Sequence, residues 1–107
     1  MTAIEGSQQT RASEGDDLRS MVGPDRHRPG ATWGRLRAEQ IPVWAIVGHL
    51  AALTGTSDLS SIAEDAIARA AADYDISPEA VRAALLYYGE HRGAIDALLE
   101  ANAAALA

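Results

Sequence analysis

The chain has 107 residues, enough for one domain, and a formal net charge of −6. It has no cysteine, which excludes a disulfide scaffold and a thiolate metal site. The first residues, Met1 to Thr10, are polar and lack the apolar centre of a signal peptide. The longest apolar run also falls far short of the roughly 20 residues a membrane span needs, so a soluble cytoplasmic protein is expected.

Charge is unevenly placed. Every basic side chain is arginine. Arg11, Arg19, Arg26, Arg28, Arg35 and Arg37 lie in the first 40 residues, where they balance six acids. From Ile41 onward only Arg69, Arg82 and Arg92 oppose nine acids, so the net charge belongs to the C-terminal portion. Nucleic-acid affinity comes largely from neutralising phosphates, and this portion alone is a poor candidate for it.

Residues 1–31 combine Gly, Ser, Gln, Asp and Arg with few large apolar side chains. Such a composition offsets too little of the entropy of ordering, and a disordered linker, or an arm that folds on binding, is expected. Met21 and Val22 do not alter that expectation. Thr32 to Ile41 is short and mixed, with Trp33, Arg35 and Arg37 alternating with Gly34, Leu36 and Ala38. A brief strand here has no evident partner in the chain, so it would pair with a second copy and make a dimer.

The first helix is expected from Pro42, a residue favoured at the first helical position. Val43, Ile46, Val47 and Leu50 follow with helical spacing, and Thr54-Gly55-Thr56 ends the run. A second helix starts near Ser57 or Asp58, either of which caps well, or later, where Ser61 and Glu64 have capping-box spacing. Leu59, Ile62, Ala63, Ala66, Ile67 and Ala70 form its apolar stripe, and Asp73-Tyr74-Asp75 breaks it. The third helix is capped by Ser77, with Pro78 in its first turn and Glu79 near the positive end of the dipole. Val81, Leu85 and Tyr88 share a face, with Ala84 beside them. Gly89 to Gly93 marks a bend or break, and a last helix carries Ile95, Leu98 and Leu99.

Ile41–Trp44 (IPVW), the Tyr74–Asp75 turn and the run from Ser77 to Leu98 together resemble the bacterial family known as domain of unknown function 433. Many of its members are encoded beside a small PIN-like nuclease and are regarded as VapB-type antitoxins. The resemblance spans roughly residues 33 to 102 and is most specific in the third and fourth helices. It implies a helical protein that binds and neutralises a PIN-like ribonuclease, and it implies a dimer that represses its own operon. Two departures stand out. Ala38-Glu39-Gln40 replaces the family's usual Gly-Thr-Arg or Arg-Arg before IPV, and the stretch between the first helix and Ser77 is longer than usual, an insertion that Leu53 to Ala72 would hold.

The second helix, the Asp73–Ile76 turn and the third helix have helix-turn-helix layout, which would place the third helix in a major groove. Its expected exposed residues are Glu79, Arg82, Ala83, Leu86 and Tyr87, with Arg82 suited to guanine and Tyr87 to a phosphate. The alternative is a plain helical hairpin, because one Arg beside one Glu is thin for a recognition helix. Arg26, Arg28, Arg35 and Arg37 are the candidates for tracking phosphates or for entering the carboxylate site of a nuclease, since guanidinium pairs bidentately with carboxylate. Trp33, Trp44, Leu85 and Tyr88 are read as core or dimer packing.

Glu90 and His91 are adjacent on a helix and point apart, so no acid–base pair is expected there. His49 is read as structural. With His27 in the arm, no metal triad can be drawn. No nucleophile–base pair stands out, and neither an enzyme nor a cofactor is expected. The sequence thus predicts an all-α bundle of three to four helices over residues 32–107, with helix-turn-helix character and a short N-terminal strand. Its functional expectation is an antitoxin. The alternative is a small interaction or scaffold subunit that never touches DNA.

Overall fold

Four helices in the C-terminal two thirds direct their apolar sides inward, and the segment before them closes one side of the core. The computed structural model describes residues 15–56, 59 and 61–106. The order is α1 (residues 15–20), β1 (Val22–Gly23), a single 3-10 turn (Ala31–Trp33), β2 (Arg35–Leu36), α2 (Val43–Thr54), α3 (Glu64–Tyr74), α4 (Pro78–Glu90) and α5 (Arg92–Leu106). The fold is mostly helical with one small two-stranded sheet.

Helix α2 starts one residue after the expected position. Pro42 keeps an extended ψ of 138° and caps the helix from outside, because it is engaged in a bridge with Arg35. The Val43 N–H donates to the Gly34 carbonyl at 3.0 Å, which anchors the first turn to the preceding segment. Val43, Ile46, Val47 and Leu50 are all buried, as their spacing predicts. Gly55 ends the helix at φ 72°, a left-handed conformation that glycine adopts without Cβ strain.

Helix α3 begins at Glu64, with Ala63 as its N-cap and no side-chain cap. The later of the two expected starts is therefore the closer, although Ser61 does not cap it. Ser57 and Asp58 lie outside the described residues. Leu59 and Ile62 precede the helix instead of continuing its stripe, yet Leu59 is buried and Ile62 packs on the core. Glu64 and Asp65 occupy the first turn, where negative charge favours the dipole. Asp75 terminates the helix at φ 56°, and the Asp75 and Ile76 N–H groups satisfy the last carbonyls.

Helix α4 is capped as expected, with the Ser77 hydroxyl accepting from the Ala80 N–H at 3.1 Å. It is the central element and packs against α2, α3, α5, β1 and β2. Its buried residues are Ala80, Val81, Ala83, Ala84 and Tyr88. The chain breaks at His91, where φ is −137°, and resumes as α5 with Ile95 fully buried.

The N-terminal arm departs from expectation. Residues 1–14 lie outside the described residues, but residues 15–31 pack on the helices. Val22 and Leu36 pair across an antiparallel ladder, as do Gly23 and Arg35, so the short strand finds its partner within the same chain and needs no second copy. Val22 is buried, Leu36 is fully buried, and Leu18 and Met21 lie against the core. A few apolar side chains diluted in polar sequence suffice, because each fully buried one gains about 1.5–3 kcal/mol.

Tyr87 holds the same segment from the other side. Its hydroxyl donates to the Ala31 carbonyl at 2.6 Å. A Cβ at Gly34 would lie 2.5 Å from the ring, so only glycine admits this contact.

These contacts set the outcome of denaturation experiments. Leu36→Ala should cost about 2–5 kcal/mol of stability, whereas Leu53→Ala, at a site 38% exposed, should change it by no more than about 0.5 kcal/mol. Gly34→Ala should cost about 1–3 kcal/mol by displacing the Tyr87 ring. Tyr87→Phe, which removes only the hydroxyl bond, should cost about 1 kcal/mol.

Candidate functional site

The arginines fall into two groups. Those on the helices are matched to carboxylates. Arg19 lies 3.2 Å from Glu90 and 3.8 Å from Asp16, Arg69 lies 3.5 Å from Asp73, and Arg92 lies 3.9 Å from Asp96. Arg82 bridges Glu79 at 2.6 Å and Glu64 at 2.7 Å, tying α4 to the start of α3. These pairs are largely exposed, and each adds little stability.

The second group is Arg26, Arg28, Arg35 and Arg37, the candidates for phosphate or carboxylate recognition. Arg35 alone faces a carboxylate among the described residues, with its Nε 3.3 Å from Asp25 Oδ2. Arg28 lies over the Trp33 ring, 4.6 Å from its centroid, in a cation–π contact. Arg37 donates from Nε to the Ser20 carbonyl at 3.0 Å. Arg26 is exposed and makes no ion pair with a described residue.

Asp25 is already committed within its own turn. Its Oδ1 accepts the main-chain N–H groups of His27 at 2.8 Å and Arg28 at 3.0 Å. The His27 amide foremost, with Arg28 and Arg35, holds the Asp25 carboxyl below its ordinary value against partial desolvation.

The expected reading face on α4 is differently arranged. Ala83, expected to be exposed, is buried, because α4 is covered on several sides. Tyr87 is half-buried with its hydroxyl spent on Ala31, and burial pushes its phenol up. Arg82 is held by two carboxylates, and Glu64 foremost raises its already high pKa. Leu86 lies half-buried in a groove of about 330 Å3 with Leu59, Ile62 and Leu85. Glu79 alone of the five is well exposed. The signal missed in the sequence is that α4 carries alanines on more than one side, as a helix surrounded by neighbours does.

The packing candidates mostly hold their place. Tyr88 is buried, its hydroxyl donates to Asp96 at 2.7 Å, and Arg92 lies over its ring. Trp44 and Leu85 are half-buried against the core. Trp33 is half-buried on the 3-10 turn beneath Arg28. Glu90 and His91 have separate partners, Arg19 for the first and the Tyr87 ring, at 4.4 Å between centroids, for the second.

His49 on α2 meets Asp73 on α3, with Nε2 2.8 Å from Oδ2. Its ring also stands edge-on to Tyr74 at 5.3 Å, and the Tyr74 hydroxyl donates to the Ala45 carbonyl at 3.2 Å. This cluster is a latch between two helices. No group of three or more His, Cys, Asp or Glu that could hold a metal occurs among the described residues.

Gly23, Pro24, Arg26, Arg35, Arg37 and Gln40 enclose a pocket of about 250 Å3 beside the β1–β2 pair. The sequence hinted at it through the alternation of Arg35 and Arg37, which puts two guanidiniums on one side of an extended chain. The other wall, from residues 23–26, depends on a strand pairing that spacing does not reveal. No family model matches the chain, and no curated protein or solved structure matches it.

The latch has a pH signature. The hydrogen bond with His49 foremost, and Arg69 beside it, hold the Asp73 carboxyl below its ordinary 3.8. A carboxyl depressed in the folded state contributes stability above its unfolded pKa and loses it as pH falls through the folded value. Acid titration of stability should therefore show a loss below pH 3.8 that is smaller in Asp73→Asn, followed by circular dichroism. Equal acid sensitivity in both proteins would dismiss the latch.

Proposed function

We propose that this chain is the antitoxin of a type II toxin–antitoxin pair, which binds a PIN-like ribonuclease and inhibits it. The observation that carries this reading is the separation of charge. Arg26, Arg28, Arg35 and Arg37 share a single carboxylate among the described residues, whereas the helical arginines are each matched. A PIN-like nuclease collects carboxylates around a divalent cation. A guanidinium that is not already neutralised is the side chain that pairs with such a site in bidentate geometry. The resemblance of Ile41–Trp44 and Ser77–Leu98 to domain of unknown function 433 supports the same reading. A homodimer or higher oligomer and autorepression of the operon belong to the proposal. There α3, its turn and α4 would serve as a helix-turn-helix, with DNA phosphates met by the arginines of residues 26–37.

A second reading has a specific observation in its favour. Arg82 and Tyr87, the two residues best suited to DNA on α4, are occupied within the chain. With a net charge of −6, this favours a small interaction or scaffold subunit that makes no contact with DNA.

The test is a pull-down of the tagged chain from its own host, with mass spectrometry and an RNA-cleavage assay of what co-elutes. A stoichiometric small nuclease, silenced by the chain, is expected. Arg28→Glu, an exposed change, should weaken inhibition by about tenfold or more, the factor carried by one charge-assisted contact. Recovery of the chain alone, or of a nuclease that it does not inhibit, would overturn the antitoxin reading. A steep fall of operator affinity with salt separates the DNA-binding form from the scaffold form.

A further inference from the structure

The arginine pocket is built, not merely exposed. Arg37 is held at three points. Its main-chain N–H donates to the Met21 carbonyl at 2.8 Å, its Nε donates to the Ser20 carbonyl at 3.0 Å, and its guanidinium lies across Gly23. A Cβ at Gly23 would come within 2.7 Å of Arg37 Cζ, so the close approach needs glycine there. These contacts leave both Nη groups of Arg37 without a described acceptor. Gln40 lines the pocket from a left-handed turn at φ 60°, fixed by its N–H on the Leu36 carbonyl and its Nε2 on the Arg37 carbonyl.

Charge makes the pocket incomplete as it stands. Arg26, Arg35 and Arg37 line it, with Asp25 as the carboxylate beside Arg35. One Asp25 oxygen is already spent on two main-chain N–H groups. Arg35 Nε is buried and, although it lies 3.3 Å from Asp25 Oδ2, donates no hydrogen bond. The crowding of like charges is costly, and an anion with several acceptor oxygens relieves it.

We propose that this pocket binds a phosphate group. Three guanidiniums against one half-occupied carboxylate suit a ligand of charge about −1.5 to −2 with three strong acceptor oxygens better than a single carboxylate. Guanidinium meets phosphate through paired N–H groups, and Arg35 on β2 and Arg37 in the turn after it both line the pocket to supply them. The phosphate comes either as free inorganic phosphate or as the terminal 5′-phosphate of a nucleic-acid strand, a monoester with that charge and three acceptor oxygens. The site rests on the pocket alone and stands whether or not the chain is an antitoxin.

The test is a titration followed by NMR at the arginine Nε–H resonances. Inorganic phosphate is one arm and a short 5′-phosphorylated single-stranded DNA oligonucleotide the other, each against sodium chloride of equal ionic strength. Saturable shifts at Arg35 and Arg37 are expected in at least one arm, and the arm that saturates at lower concentration identifies the source. Arg26→Ala and Arg37→Ala should each weaken binding by about tenfold or more, while Arg69→Ala, on α3 and outside the pocket, should not. Arg26 is exposed and makes no hydrogen bond or ion pair with a described residue, so Arg26→Ala decides the matter if Arg37→Ala fails to fold. Shifts no larger than those from chloride in both arms, or unaltered affinity in Arg26→Ala, would overturn the site.

Discussion

The burial of Leu36 is the constraint on which the rest of this structure depends. The described core is poor in bulk. It contains five alanines, Ala70, Ala71, Ala80, Ala83 and Ala84, and the chain has no phenylalanine. Each alanine removes little apolar area from water, and hydrophobic stabilisation scales with that area. The largest fully buried side chains are Leu36, Ile46, Leu50 and Ile95. Three of them arrive on helices that present them by period alone. Leu36 arrives on a two-residue strand and stays inside only because its surroundings are closed. β1 pairs with it, its N–H donates to the Ile41 carbonyl at 2.9 Å, and its carbonyl accepts from Gln40 at 2.8 Å.

That closure also sets the charge pattern. Alternate residues of an extended chain face opposite ways, so turning Leu36 inward leaves Arg35 on the other side of β2, half-buried, while Arg37 is exposed in the turn that follows. Pairing β2 with β1 then brings Gly23 beneath the Arg37 guanidinium and draws Arg26 near both. Packing and binding chemistry are two sides of one segment. The helices behave differently. Their arginines lie three or four residues from acids on the same helix or face acids on another, so those charges cancel locally and leave the unmatched cations on residues 26–37.

Several elements were legible because their signals are local. The α2 stripe needs only Val43, Ile46, Val47 and Leu50 at helical spacing. The Ser77 cap needs only a hydroxyl three residues before the Ala80 N–H. The break between α4 and α5 follows from the glycines around His91. Other features depended on contacts between distant segments. Val22 is one apolar residue in a polar stretch, and composition averages it away. The start of α3 shifted to Glu64 because Leu59 and Ile62 reach the core from an irregular segment. The exposure expected of Ala83 fails because alanine gives no sign of facing water or protein, and the packed helices bury it.

The sequence by itself determined the helical class, the C-terminal ends of α2, α3 and α4, the capped start of α4 and the concentration of arginine before Ile41. These depend on backbone propensity, capping and period, which act over a few residues. Only the tertiary structure decided that residues 15–31 close the core, that Tyr87 serves Ala31, and that Arg26, Arg35 and Arg37 converge on one pocket. Each of those needs two parts of the chain brought together by apolar burial, and burial depends on which surfaces fit, a property of the packed assembly that no local window of residues contains.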